Sequence, residues 1–100
     1  MENKGKAETF IGFSIRANKC KIGVNAVATL KKANLIIVGF DASLNTVKEA
    51  EKLQKKFGCP MIFTKEKTLE QMTFKSNAKV MAITDSSLAQ AIIDNSQKDF

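Results

Sequence analysis

The segment Leu35–Asp41 (LIIVGFD) constrains this chain more than any other. Six of its seven residues are apolar or glycine, and the seventh is a carboxylate. A run so short and so uniformly apolar suits a strand buried on both faces. Asp41 and the stretch Ala42-Ser43-Leu44-Asn45-Thr46 then supply turn residues and an N-cap for a helix. Polar residues where a central strand passes into a helix N-terminus mark the edge at which open α/β sheets tend to place ligands.

The rest of the chain alternates around that strand. Residues 1–7 are polar and read as a frayed, disordered end. Phe10, Phe13 and Ala17, thickened by Ile11 and Ile15, recur at helical spacing and predict a helix from Glu8 to Ala17, ended by Asn18. Lys21-Ile22-Gly23 reads as a short strand, and Gly23 opens a second helix, Val24 to about Lys32. Val24, Val27 and Leu30 share one side of it, and Asn25, Thr29 and Lys32 another. After the strand Leu35–Phe40, a third helix runs from near Leu44 to Phe57. Its inner stripe is Leu44, Val47, Ala50, Leu53 and Phe57, and Gly58 stops it. Pro60 precedes a strand at Met61–Thr64, and a short helix follows around Thr68–Thr73. The polar loop Lys75-Ser76-Asn77-Ala78 leads to a last strand, Val80–Ile83, and Thr84-Asp85-Ser86 caps a final helix carrying Leu88, Ala91 and Ile92. This alternation predicts one domain over residues 1–100, a three-layer α/β/α sandwich with a small mixed sheet of about four strands.

Charge and composition narrow the function. Lys and Arg total 16 against 10 acidic residues, a net charge of +6, and Arg16 is the one arginine. Excess lysine favours polyanions through long-range attraction and counterion release, although it also serves plain solubility. Scarce arginine argues against base-edge reading of a duplex, where arginine forks dominate. The chain has no histidine, and Cys20 and Cys59 stand far apart outside any Cys-x-x-Cys pattern. Structural zinc, triad chemistry and a histidine general base are therefore unsupported. Two free thiols in a reducing compartment is the simpler expectation. Neither a signal peptide nor a run of roughly 18 apolar residues is present, so a cytoplasmic protein without a membrane partner is expected. Met61, Met72 and Met81 read as core filling.

Gly23-Val24-Asn25 is the leading site candidate. Backbone N–H groups at a helix start and the Asn25 carboxamide suit an anion or a base edge, and Lys19, Lys21, Lys31 and Lys32 form a basic rim around them. Asn25 as an ordinary helix cap fits equally well. Asp41 and Asp85 each follow an apolar strand and are read as caps rather than as an acid–base pair.

Ile11-Gly12, Arg16-Ala17-x-Lys19 before Gly23, LIIVGFDAS, Asn45-Thr46, Cys59-Pro60 and VMAITD occur in an order that resembles the ribosomal-protein family of the L-seven-Ae and L-thirty-e type, its small bacterial branch above all. The resemblance spans about residues 9–93. It implies an α/β/α sandwich and, in many members, binding to kink-turn RNA, a bent helix–bulge–helix with tandem sheared G·A pairs. The family's RNA signature is Gly-x-Asn-Glu-x-x-Lys at the start of the second helix. Gly23 and Asn25 match it, whereas Ala26 holds the glutamate position and Thr29 the lysine position. The family's Leu-Gly-x-Ala-x-Gly falls on Leu69-Glu70-Gln71-Met72-Thr73-Phe74, which keeps the leucine and loses both glycines. Alanine cannot accept from a guanine edge as glutamate can, and threonine carries no charge.

The resemblance therefore implies an RNA-binding, ribosome-associated protein with a partly degraded RNA motif. Its expected contacts are Lys19, Lys21, Gly23, Val24, Asn25, Thr29, Lys31 and Lys32 on one side, and Lys75, Ser76, Asn77 and Ala78 on the other. RNA is the expected partner, with ribosomal proteins as neighbours, and no catalysis, cofactor, metal or small-molecule substrate is expected. A paralogue of the same fold acting as a protein–protein interaction module is the alternative.

Overall fold

The structure, a computed structural model, describes residues 6–99. Its elements are α1 (Lys6–Arg16), β1 (Cys20–Ile22), α2 (Val24–Ala28), β2 (Leu35–Val38), α3 (Leu44–Phe57), β3 (Met61–Phe63), α4 (Leu69–Thr73), β4 (Val80–Ile83) and α5 (Ser86–Asp99). The sheet runs β1-β4-β2-β3. β4 is antiparallel to both β1 and β2, and β2 is parallel to β3.

All four residues of β2 and all four of β4 are buried, as strands covered on both faces must be. Successive side chains point to opposite faces and so feed two cores. Leu35, Ile37, Met81 and Ile83 pack against α1, α4 and α5. Ile36, Val38, Val80 and Ala82 pack against α2 and α3. The result is the expected three-layer α/β/α sandwich with a four-stranded mixed sheet. Met72 and Met81 are buried and Met61 packs against the second core, as core filling requires.

Several local expectations are corrected. Residues 1–5 lie outside the described residues, but Lys6 and Ala7, read as frayed, belong to α1, and Ala7 is buried. The inner stripe of α1 is Ala7, Ile11 and Ser14, while Phe13 and Ala17 are exposed. Ser14 tolerates burial because its hydroxyl donates to the Ile11 carbonyl at 2.6 Å. β1 begins at Cys20, and Gly23 falls outside it as the N-cap of α2. β2 ends at Val38 because the chain turns at Gly39, whose carbonyl accepts from the Ala42 amide. Phe40 is thus released to solvent at 51% exposure. Its amide donates instead to Thr64 Oγ1 at 2.9 Å, just beyond the end of β3. Leu44 is not part of the α3 stripe. It opens the helix, one turn before Val47 reaches the core, and is 69% exposed. On α5 the fully buried positions are Ala89 and Ile92 rather than Leu88 and Ala91.

Helix ends follow their local chemistry. Asn18 ends α1 in the left-handed region (φ 57°), with its amide bonded to the Ile15 carbonyl and the Lys19 amide to that of Ser14. This is the paired closure that asparagine or glycine permits. Gly58 closes α3 in the same region (φ 64°). Ser43 caps α3 by accepting from the Thr46 amide, and Asp85 caps α5 by accepting from the Leu88 amide. Asp41 does not cap a helix. It pairs with Lys79 at 2.5 Å. Among the described residues, no helix is long and apolar enough to cross a membrane.

Candidate nucleic-acid interface

β1 is an edge strand, and its open side is the centre of the candidate site. The Gly23 amide donates to the Val80 carbonyl at 2.7 Å, and the Thr84 amide to the Lys19 carbonyl at 2.8 Å. Lys19 and Gly23, which flank β1, therefore bond towards β4, and Lys21 between them shares their phase. The alternation of an antiparallel ladder turns the backbone N–H and C=O of Cys20 and Ile22 outward. Both residues line a hollow of about 290 Å³, together with Ile15, Asn18, Lys21, Ala26 and Lys75. The α1–β1 turn, the first turn of α2 and the loop after α4 converge there.

Two lysines far apart in sequence, Lys21 and Lys75, thus meet at one hollow. The described ion pairs use Lys52, Lys67 and Lys79. Among the described residues, Lys19, Lys21, Lys31, Lys32 and Lys75 pair with no carboxylate. Burial pushes the Cys20 thiol up from its ordinary value, offset in part by a hydrogen bond with Ser14 and the charges of Lys75 and Lys21. Burial likewise pushes the Cys59 thiol up. Both cysteines are free. Among the described residues, no cluster of three or more His, Cys, Asp or Glu residues converges to hold a metal ion.

The other expected contacts divide. Gly23 needs its freedom, since φ is 101°, but its amide is committed to Val80 and offers nothing to a ligand. α2 is only five residues long, too short for the dipole argument that favoured its start. Asn25 is exposed and does not cap. Gly23 is the N-cap without a side-chain bond, so among the described residues the Asn25 carboxamide stays unengaged. Val24 is half-buried against the second core. Thr29 ends the helix as its C-cap, which takes Lys32 off the face expected to carry Asn25, Thr29 and Lys32 together.

Lys31 and Lys32 are exposed in the loop leading to Asn34, whose amide bonds to the Ile83 carbonyl. Gly23 sits at Val80, the opposite end of β4, so the loop carrying these two lysines enters the sheet at the end of β4 away from the start of α2. Lys19 is exposed at that same far end, beside Thr84.

In the loop after α4, Lys75 and Ser76 are exposed. Asn77 is exposed too, but its amide is taken by Glu70 Oε2 at 2.5 Å. Ala78 is buried in the first core and so cannot present its side chain to a partner. Lys79 bridges Asp41 and Glu70, and its ammonium is pushed up from its ordinary value chiefly by the bond to Asp41.

Sequence reasoning missed Asn18 as a wall of the hollow and Phe74 beside it. The left-handed Asn18 closing a helix was a readable signal. Phe74 stands where the resembled motif has glycine, a signal for its left-handed backbone (φ 61°), but nothing in the sequence indicated that its ring is 91% exposed.

No protein-family model and no curated protein matches the chain. A solved structure of a Bacillus halodurans protein of unknown function matches with a TM-score of 0.78 over 95% of this chain and 100% of that one, at 19% identity. At that identity the likeness is one of fold alone, and the fold shared is the α/β sandwich described above.

Proposed function

We propose that the protein binds structured RNA at the open edge of β1, reading phosphate and backbone shape, as a ribosome-associated protein of the kink-turn-binding ribosomal type. The observation that carries this reading is the meeting of Lys21 and Lys75, both unpaired among the described residues, at one hollow. Two cations flanking a shallow site suit a phosphate backbone, and their lysine character supplies point charges without the fork that selects a base. Ala26 lines the same hollow and gives it no acceptor for a guanine edge. The reading assigns the protein to the cytoplasm and assigns it no catalytic turnover. In its support, the chain lacks histidine and both thiols are biased towards their protonated form.

Binding of a kink-turn RNA and of a straight duplex of equal length, each measured across a salt series, tests it. Phosphate contact predicts a steep fall of log affinity with log salt for both RNAs. Absence of salt-sensitive binding to either would overturn the reading.

One observation favours the protein–protein module as second reading. Phe40 and Phe63 are large exposed apolar residues at the same end of the parallel pair β2–β3, and exposed Leu44 opens α3 four residues after Phe40. Concentration-dependent self-association or heterologous capture that depends on Phe40 and Phe63, without RNA binding, would favour that reading.

A further inference from the structure

Beside the basic hollow lies a larger groove of about 570 Å³ between α1 and α4. Gly12, Ile15 and Arg16 line it from α1, and Met72, Thr73 and Phe74 from the end of α4. We propose that this groove is a nucleotide seat, with a base lying against Phe74 and a phosphate held by Arg16.

Phe74 is the leading observation. It is the C-cap of α4 in the left-handed region, a conformation that L side chains rarely adopt and that glycine fills by default. At 91% exposure its ring contributes almost nothing to the core. A strained, solvent-facing aromatic has no stabilising role in the fold, and an exposed ring is the platform on which a base stacks. Arg16 is the second. Its guanidinium sits 5.0 Å from the centroid of the Phe13 ring, which holds it along α1 without a carboxylate partner among the described residues. Gly12 leaves the groove wall bare, since even an added Cβ would come no nearer than 4.0 Å to Arg16 Nη1. Glu8, the acidic side chain of the groove, is neutralised by Lys67 at 3.0 Å. An aromatic face, a free planar cation and a cancelled acid complement a base with a phosphate.

Ile15 lines both the groove and the basic hollow, but Phe74 and Arg16 line only the groove and Lys21 and Lys75 only the hollow, so the seat stands or falls separately from the RNA reading. The nucleotide has two possible sources, free in solution or unpaired within an RNA. Adenosine monophosphate titrated into labelled protein probes the first, read as amide shifts. A hairpin carrying one unpaired nucleotide, compared with the same hairpin without it, probes the second.

Shifts centred on Gly12, Arg16 and Phe74, or a preference for the unpaired nucleotide of about tenfold, are the expected results. Phe74→Ala and Arg16→Met should remove either response, whereas Lys75→Ala should weaken both hairpins alike. Phe74→Gly should raise Tm by about 4 °C by relieving the left-handed backbone and still lose the seat. A role of Phe74 in folding cannot produce that pair of effects. Nucleotide binding without RNA binding supports the seat and overturns the RNA reading. RNA binding with no hairpin preference and no response to the mononucleotide overturns the seat alone. Self-association lost in Phe74→Ala, with no nucleotide response in the unaltered protein, makes the ring a protein contact and overturns the seat.

Discussion

The Thr29 hydroxyl donates to the Ala26 carbonyl at 2.6 Å, so the two positions at which this chain departs from the resembled RNA signature are bonded to each other. The Thr29 amide adds a second bond to the same carbonyl, and α2 ends there. A signature lysine at 29 could not make the hydroxyl bond. The departures therefore do more than delete two contacts. The Ala26 carbonyl takes both Thr29 bonds where α2 ends, and the chain continues from there towards Lys31 and Lys32.

Restoring the signature by Ala26→Glu with Thr29→Lys should strengthen kink-turn binding relative to a straight duplex. It returns an acceptor for a guanine edge beside a cation, an arrangement worth roughly 1–3 kcal/mol by analogy with base readout in DNA. Loss of the Thr29 hydroxyl bond should lower stability by about 1 kcal/mol. Fluorescence anisotropy with the two RNAs and urea unfolding measure the two effects. Equal gains on both RNAs would show that the pair adds only charge.

The lysines should divide by position. Lys21→Ala and Lys75→Ala should each reduce the slope of log affinity against log salt by about one, since each removes one phosphate contact at the hollow. Lys31→Ala and Lys32→Ala, whose side chains are not among those lining that hollow, should change it less. Four equal slopes would mean that RNA is attracted by net charge and not held at β1.

Ile37→Ala should destabilise the protein by about 2–5 kcal/mol, because Ile37 is fully buried in the central strand between β4 and β3. Urea denaturation should show a lower midpoint with an unchanged slope. A cost below 1 kcal/mol would be incompatible with that core.

Cys20 should react slowly with a thiol reagent in the native protein near pH 8 and faster once the chain is unfolded. Burial raises its folded-state value above the ordinary 9.0, so the native state holds that proton more tightly than the unfolded state. The associated stability is complete below pH 9 and falls as pH climbs through the folded value. Lys79 is also raised, and its contribution is lost only above its ordinary 10.5, so loss between 9 and 10.5 reports the thiols of Cys20 and Cys59. Native labelling of Cys20 at the unfolded rate would contradict its burial.

Much of the fold was legible because its signals are local. LIIV and VMAI are too apolar to lie anywhere but the centre of a covered sheet, and both are buried throughout. Gly58 marked the end of α3 and Asp85 the start of α5, since caps act within one turn of chain. Thr68 and Gln71 form a reciprocal capping box whose spacing was also readable. Helix faces were less legible. Phe13, Phe40 and Leu44 satisfied an apolar pattern yet are exposed, because the pattern does not say which side of α1 meets the sheet or where the chain turns away after β2.

The candidate site was less legible still. The sequence by itself determined the αβ alternation, the two central strands, the excess of lysine and the presence of alanine at 26 and threonine at 29. Only the tertiary structure decided that Lys21 meets Lys75 while Lys31 and Lys32 lie elsewhere, that Gly23 spends its amide on Val80, and that Asp41 binds Lys79 instead of capping a helix. The physical reason is common to all three. Each depends on the order of strands in the sheet, which sets which loops share an end, and on contacts between residues remote in sequence. No local pattern of charge or hydrophobicity encodes those.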